Sequence, residues 1–383
     1  MKTADNLKIL LMSDYSNFHS TLAKGLRKLG CNVTLISDGS TFMECDRDID
    51  ISRRDGKLGG LKLAYNILLP LHSKLKGYDI VAFRDPNFLD LKPSRNLWFL
   101  RRFFKENKAC FLSYLTTDVP FLDMLEAHDS PLRYSEWFVD GHPNRLKVQD
   151  PRQWERWHSQ DMKKLNEFFF SNIDGAVTAL YEYHLSAERL LPKERIAYGG
   201  IPIDTESILP VNSETPRKVR IFLGRDYRRK LQKGSDLLEI AAKNVVEKYP
   251  DKAELIILEN KSHSEYMQVM RSCHLVLDQI YSYTPATMAL EAMASGIPTV
   301  TGAEPEFYEF IGEKENFPII NAPIELEPLQ KCIEEIILKP SDLPERGRRS
   351  RVFVEKHHSL PVVASRFLDH WMKVLDAKFA DSN

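Results

Sequence analysis

Short runs of consecutive apolar residues alternate along the chain with longer stretches whose apolar residues recur every three or four positions. The runs at 8–13 (KILLMS), 31–37 (CNVTLIS), 79–84 (DIVAFR), 109–115 (ACFLSYL) and 175–180 (GAVTAL) read as buried strands. Residues 19–30 (HSTLAKGLRKLG) read as an amphipathic helix stopped by Gly30. Further helical patterns lie between the other strands, and this alternation implies a parallel sheet covered on both faces. The same pattern restarts at 218–224 (KVRIFLG). It continues through 253–258, 274–279, 297–302 and 317–321.

Between the two series lies 198–218 (YGGIPIDTESILPVNSETPRK), rich in Pro, Gly and Ser, which reads as a linker. Two doubly wound α/β domains follow, an organisation that suits 383 residues. Residues 119–160 fit neither series. Their scattered aromatics, prolines and charges make a long connection, read either as part of an acceptor site or as an insertion packed on the surface.

Composition narrows the class. The chain is 43% apolar, enough for sizeable cores, and its net charge of −1 gives no reason to expect nucleic acid as a partner. Five cysteines lie far apart with no C-x-x-C pair, as expected of reduced thiols in the cytosol. The apolar run near the N-terminus is too short for a signal peptide or a membrane span. The expectation is a soluble cytoplasmic protein.

Candidate chemistry concentrates in the second series. The strand ending at Gly224 runs into a loop with Arg225, Arg228, Arg229, Lys230 and Lys233 and a single acid, Asp226, and a helix starts near Gly234. A cationic loop at a strand's carboxyl end beside a helix N-terminus suits an anion, although a charge run is also the usual form of a solvated face. In YSYTPATMALEAMASGIPTVTG (281–302), Pro285 fits the first turn of a helix and Gly296 its end. That helix would add N–H groups and the positive end of its dipole. Glu291 is the unexpected member, a carboxylate on a helix otherwise made for a core.

These stretches resemble a GT-B fold glycosyltransferase, most similar to the family 4 retaining enzymes that use nucleotide sugars. The resemblance rests on GR (224–225), KG (233–234), ALEAMASGIPTV (289–300) and GGIPIDTESILP (199–210). The tail 346–375 resembles the family's closing helices, the last of which crosses back onto the first domain. It implies an N-terminal acceptor domain over 1–200 with helix 362–380 packed back on it, and a nucleotide-sugar donor domain over 201–361. By resemblance Arg225 and Lys233 hold the donor diphosphate, with Lys230 as an alternative lysine. Glu291 binds the ribose hydroxyls. Gly224, Tyr283, Thr284, Ala286 and Thr287 complete the donor side. Tyr283 and Thr284 stand where the family often has a sugar-contacting acid and a glycine, and Tyr283 is expected to face the donor sugar. On the first domain the loop 13–20 lacks the family's glycines, and Thr117 and Asp118 stand near the family's histidine. Asp14, Ser16, Asn17, His19, Thr117 and Asp118 are the expected acceptor-side residues, with His19 opening a helix toward the cleft.

The two overlapping Asp-x-Asp patterns of 46–50 (DRDID) sit in a polar loop and are discounted as a metal site, and no histidine cluster has zinc spacing. No metal and no cofactor is expected beyond the nucleotide-sugar substrate. Residues 95–108 form a basic, aromatic amphipathic stretch that reads as a helix packed on the sheet, with peripheral membrane contact as the other reading. The expected activity is sugar transfer from a nucleoside-diphosphate sugar to a hydroxyl of a glycan or lipid-linked acceptor, with retention. Two rivals remain: an epimerase of the same fold, and a catalytically silent nucleotide-sugar-binding subunit.

Overall fold

The apolar runs build two separate parallel sheets. The computed structural model describes every residue except 1–6, 40–44, 54, 55, 57, 70, 212, 213 and 381–383. The first sheet contains β1 (Lys8–Met12), β2 (Asn32–Ser37), β3 (Ile49–Asp50), β4 (Ile80–Phe83), β5 (Ala109–Tyr114), β6 (Gly175–Thr178) and β7 (Ile196–Tyr198). Their order is β3-β2-β1-β4-β5-β6-β7, and every pairing is parallel. In register, Leu10 of β1 lies between Thr34 of β2 and Val81 of β4. β4, β5 and β6 are buried along their whole length, as strands covered on both faces must be.

The second sheet contains β8 (Val219–Arg225), β9 (Ala253–Glu259), β10 (Leu275–Leu277), β11 (Thr299–Thr301) and β12 (Ile320–Asn321), in the order β9-β8-β10-β11-β12, again parallel. This order reverses between β8 and β10, the position where open α/β sheets leave a crevice at the strands' carboxyl ends. Arg225 ends β8 and Asp278 directly follows β10, so both stand at that crevice.

The chain forms two compact units. The first takes the chain up to Met124, then Arg152–Pro202, then everything from Leu360. The last helix, Leu360–Ala380, belongs to it, with Phe367 against Phe18 at 5.9 Å and Trp371 against Phe111 at 6.0 Å. The second unit is Leu125–Pro151 with Ile203–Ser359. The middle of the connection 119–160, which the resemblance placed in the acceptor domain over 1–200, therefore groups with the second unit. Its hairpin, Phe138–Val139 with His142–Pro143, is preceded by the fully buried Trp137. Asn144 ties the segment together by donating to the Ser135 carbonyl at 2.8 Å. Among the described residues no helix is long and apolar enough to cross a membrane.

Candidate functional site

The backbone after β8 explains how the basic loop is presented. Asp226 accepts from the Arg228 N–H at 3.0 Å, closing a 3-10 turn at Tyr227–Arg229. One helical turn, Lys230–Lys233, follows, and Gly234 adopts φ 67° before the helix Ser235–Lys248 starts. That left-handed residue also packs directly against Ile280, so a side chain there would meet strain and a clash together. The turn delivers Lys233 to the carboxyl end of β10, whereas Lys230 stays outside, its Nζ 2.9 Å from the Tyr227 hydroxyl and 4.1 Å above that ring.

Lys233 Nζ donates to Asp278 Oδ1 at 2.9 Å. Asp278 has no exposure, and its other oxygen accepts from Thr301 at 3.4 Å. A buried carboxylate needs such a counter-ion. The ammonium carries three N–H donors, and its side chain remains 22% exposed, so further donors are left for a phosphate. Arg225 is more heavily committed, since its guanidinium pairs with both Glu239 and Glu259. Within the basic run, Arg225 and Lys233 are thus paired with carboxylates from other elements, and Arg228 with Asp226 of its own loop.

Glu291 projects from the helix Thr287–Ala294 beside these groups and is 8% exposed. Both its oxygens lie 3.0 Å from His263 Nε2. His263 opens the helix His263–Met270, whose N-terminus is fixed by a capping box between Ser262 and Glu265. The hydrogen bond to Glu291 raises the pKa of His263, against the opposing effect of burial. On the same helix Tyr266 packs onto Gly224, which leaves no room for a Cβ there. Its hydroxyl is buried without a hydrogen-bond partner, and burial together with the charges of Asp278 and Glu291 pushes its pKa well up. Ala286 and Thr287 start the next helix and are half-buried.

Two donor-side expectations need correction. Tyr283 does not face an open site. It is 1% exposed, its ring lies 4.8 Å from Tyr134, and its hydroxyl accepts from the Arg133 N–H at 2.7 Å. Arg133 covers the ring at 5.5 Å while its guanidinium pairs with Glu304 and Glu306. The physical cause is the 125–151 segment, which buries this tyrosine. Thr284 is also fully buried, in a tight turn whose Ser282 hydroxyl accepts from its N–H at 3.2 Å. The same segment adds a cation that sequence reasoning missed: Arg145 pairs through both Nη atoms with Asp236, in the first turn of the helix after Gly234.

On the first unit the acceptor-side residues are mostly structural. Asp14 is fully buried, and its carboxylate accepts the N–H groups of Tyr15, His19 and Ser20 at 2.7, 2.9 and 3.0 Å. The protein's own carboxylate thus occupies the N-terminus of the helix Phe18–Lys28. Ser16 and Asn17 take left-handed φ values of 51° and 59° to make that turn without glycine, and Asn17 accepts from the Cys45 thiol. His19 does not open toward a cleft. It is 1% exposed, with Nδ1 2.6 Å from the Ser13 carbonyl and Nε2 2.9 Å from the Ser113 hydroxyl, and burial lowers its pKa. Thr117 is half-buried. Asp118 accepts from the Tyr114 hydroxyl at 2.8 Å and the Phe121 N–H at 2.9 Å. Its second oxygen is buried without a partner, and burial raises its pKa to about 7.

In the DRDID stretch, Asp48 pairs with Arg27 at 2.6 Å and Asp50 with Arg47 at 3.1 Å. Among the described residues no cluster of three His, Cys, Asp or Glu side chains could hold a metal ion.

Residues 225–369 match the family model Glyco_trans_1_2, glycosyl transferase-like. Sucrose-phosphate synthase from Thermosynechococcus elongatus superposes with a TM-score of 0.61 at 14% identity, covering 97% of this chain and all of that one. Anabaena HepE, in complex with UDP-glucose, gives a TM-score of 0.59 at 12% identity over 95% of this chain and 99% of its own. TarM of S. aureus, in complex with fondaparinux, α-GlcNAc-glycerol and UDP, gives 0.53 at 15% identity and covers 81% of this chain; the chain spans 58% of TarM. No curated protein matches the sequence. The architecture is GT-B.

Proposed function

We infer that this GT-B chain, with its glycosyl transferase-like second unit, is a glycosyltransferase that takes its sugar from a nucleoside-diphosphate donor. The observation that carries the reading is that Lys233, paired with Asp278 just after β10, and Glu291, on the helix Thr287–Ala294, flank Tyr266, whose buried hydroxyl lies under the charge of both carboxylates. An ammonium with spare donors and a helix N-terminus suit a diphosphate, and their field would stabilise the charge that develops as it departs. The Glu291 carboxylate has about four lone-pair sites, so it can accept from a ribose diol while keeping His263. Uridine diphosphate is the first nucleotide to test, because the HepE and TarM structures hold UDP or UDP-glucose. Arg225 serves the phosphates only to the extent that Glu239 and Glu259 release it.

Transfer with retention, without a metal, to a hydroxyl of a glycan or lipid-linked acceptor completes the proposal, and the first unit is assigned the acceptor. A silent nucleotide-sugar-binding subunit is the second reading. It is favoured by the buried Tyr283 where the family often has an acid, and by the carboxylate partners of Arg225. The test is calorimetry with UDP and 2′-deoxy-UDP, beside turnover of UDP-sugars with glycan and lipid-linked acceptors. Wild type should prefer the ribonucleotide, and Glu291→Gln should lose most of that preference. Equal binding of the two by wild type would remove Glu291 from the site. Binding without release of nucleotide for any acceptor would support the silent reading.

A further inference from the structure

The helix Gly59–Leu68 is apolar on both sides. Its inner face, Leu63 and Ile67, is buried in the core of the first unit. Its outer face carries Leu61 and Tyr65, flanked by Leu58 and Leu69 at the two ends, with exposures of 61, 57, 72 and 64%. At a helical 100° per residue these four fall within one stripe, about 16 Å long at 1.5 Å per residue. Isolated exposed leucines are ordinary, but a continuous stripe of this kind marks a surface that something covers. A helix hydrophobic all round is normally buried, and this one is buried on one side only.

The surroundings say what kind of partner fits. Lys62 stands on the leucine helix itself and Lys74 and Lys76 follow it, while Arg53 before it pairs with Asp90. Residues 92–108 hold six Lys and Arg against one Glu, +5 in a chain whose net charge is −1. That stretch contains the helix Pro93–Glu106, whose outer face is Arg95, Trp98, Arg101 and Lys105, with Trp98 47% exposed. The two helices are neighbours: Ile67 and Leu68 of the first line one small cavity with Phe99, Arg102 and Phe103 of the second, and Arg102 reaches His72 at 2.6 Å beside it. An isologous dimer through this face would set cations against cations. A lipid surface with anionic headgroups satisfies both features at once, because leucines enter the acyl boundary while flanking lysines and arginines meet phosphates.

We propose that the outer face of the helix Gly59–Leu68, flanked by the basic face of Pro93–Glu106, docks this protein on an anionic lipid surface. The face is separate from the nucleotide site, and docking requires no nucleotide, so the proposal stands or falls apart from the glycosyltransferase reading. The test is flotation of the full chain with vesicles of phosphatidylcholine alone and of phosphatidylcholine mixed with phosphatidylglycerol. Wild type should float with the mixed vesicles, far less with the neutral ones, and should be released by salt. Leu61→Gln with Leu69→Gln should weaken binding about tenfold or more. Lys62→Gln should weaken it about fivefold. Unchanged melting and unchanged UDP affinity would show that the variants are folded. The proposal is overturned if wild type does not float with phosphatidylglycerol vesicles or if the leucine variant floats equally well. It is also overturned if wild type ignores vesicles but forms a dimer in ultracentrifugation that the leucine variant abolishes, which would make a second copy the occupant.

Discussion

Replacing Lys233 with Met tests whether this lysine serves the nucleotide or only the fold. Asp278 has no exposure, and Lys233 is bonded to it at 2.9 Å. Removing one partner of a buried pair costs about 3–5 kcal/mol. The lower end applies here, because a lysine side chain 22% exposed leaves a path for water to reach the stranded carboxylate. About 3 kcal/mol should lower the melting transition of the second unit by roughly 6–12 °C. Weak UDP binding by Lys233→Met alone would therefore be ambiguous, so the cycle needs Asp278→Asn and the double variant. Asp278→Asn removes the competing carboxylate while keeping the ammonium. It should bind UDP several-fold more tightly at a small cost in stability. The double variant should recover most of the lost melting temperature yet still bind UDP about tenfold to a hundredfold more weakly than Asp278→Asn. That is the value of one charge-assisted hydrogen bond, about 1.5–3 kcal/mol. Uridine, which lacks phosphates, should bind all four proteins alike. If the double variant and Asp278→Asn bind UDP equally well in calorimetry, Lys233 is a structural counter-ion and its assignment to the diphosphate is wrong.

Tyr283→Phe should lower stability by about 1–3 kcal/mol, because it strands the Arg133 N–H that the hydroxyl now accepts, and should leave UDP affinity within about twofold. Chemical denaturation and calorimetry check this; a changed donor profile at unchanged stability would return Tyr283 to the sugar site. The raised pKa of His263 makes a signed prediction. Its contribution to stability is complete below the ordinary value of 6.5 and is lost as pH rises through the higher folded value. Melting curves across that range should show the loss in wild type and not in His263→Gln, and identical pH dependence in the two proteins would disprove it. Gly224→Ala should destabilise the second unit and weaken UDP binding together, since the new methyl group collides with Tyr266 at the crevice. A well-folded Gly224→Ala with normal affinity would show that Tyr266 moves freely.

Much of the architecture was legible in the pattern of the chain, because burial on one or both faces leaves a periodicity within each element. The run 109–115 is all but continuous in apolar residues because β5 is covered on both faces. Glu291 was likewise visible, since a carboxylate on a core-facing helix breaks the expectation of its own segment, whereas Gly224 and Lys233 were singled out by the family resemblance. Three features were not visible. Residues 125–151 look like an irregular connection, and only their packing shows that they join the second unit and bury Tyr283. His263 and Tyr266 lie in an ordinary capped helix, and nothing in that helix points to Glu291, 28 positions away from His263. Arg225 reads as a free cation until Glu239 and Glu259 come in from a helix and a neighbouring strand. The division has one physical cause. Whether a side chain is buried depends on the face of its own element and recurs with that element's period. Which group neutralises a charge or covers a ring depends on contacts between elements far apart in the chain, and these exist only once the sheets and helices have packed.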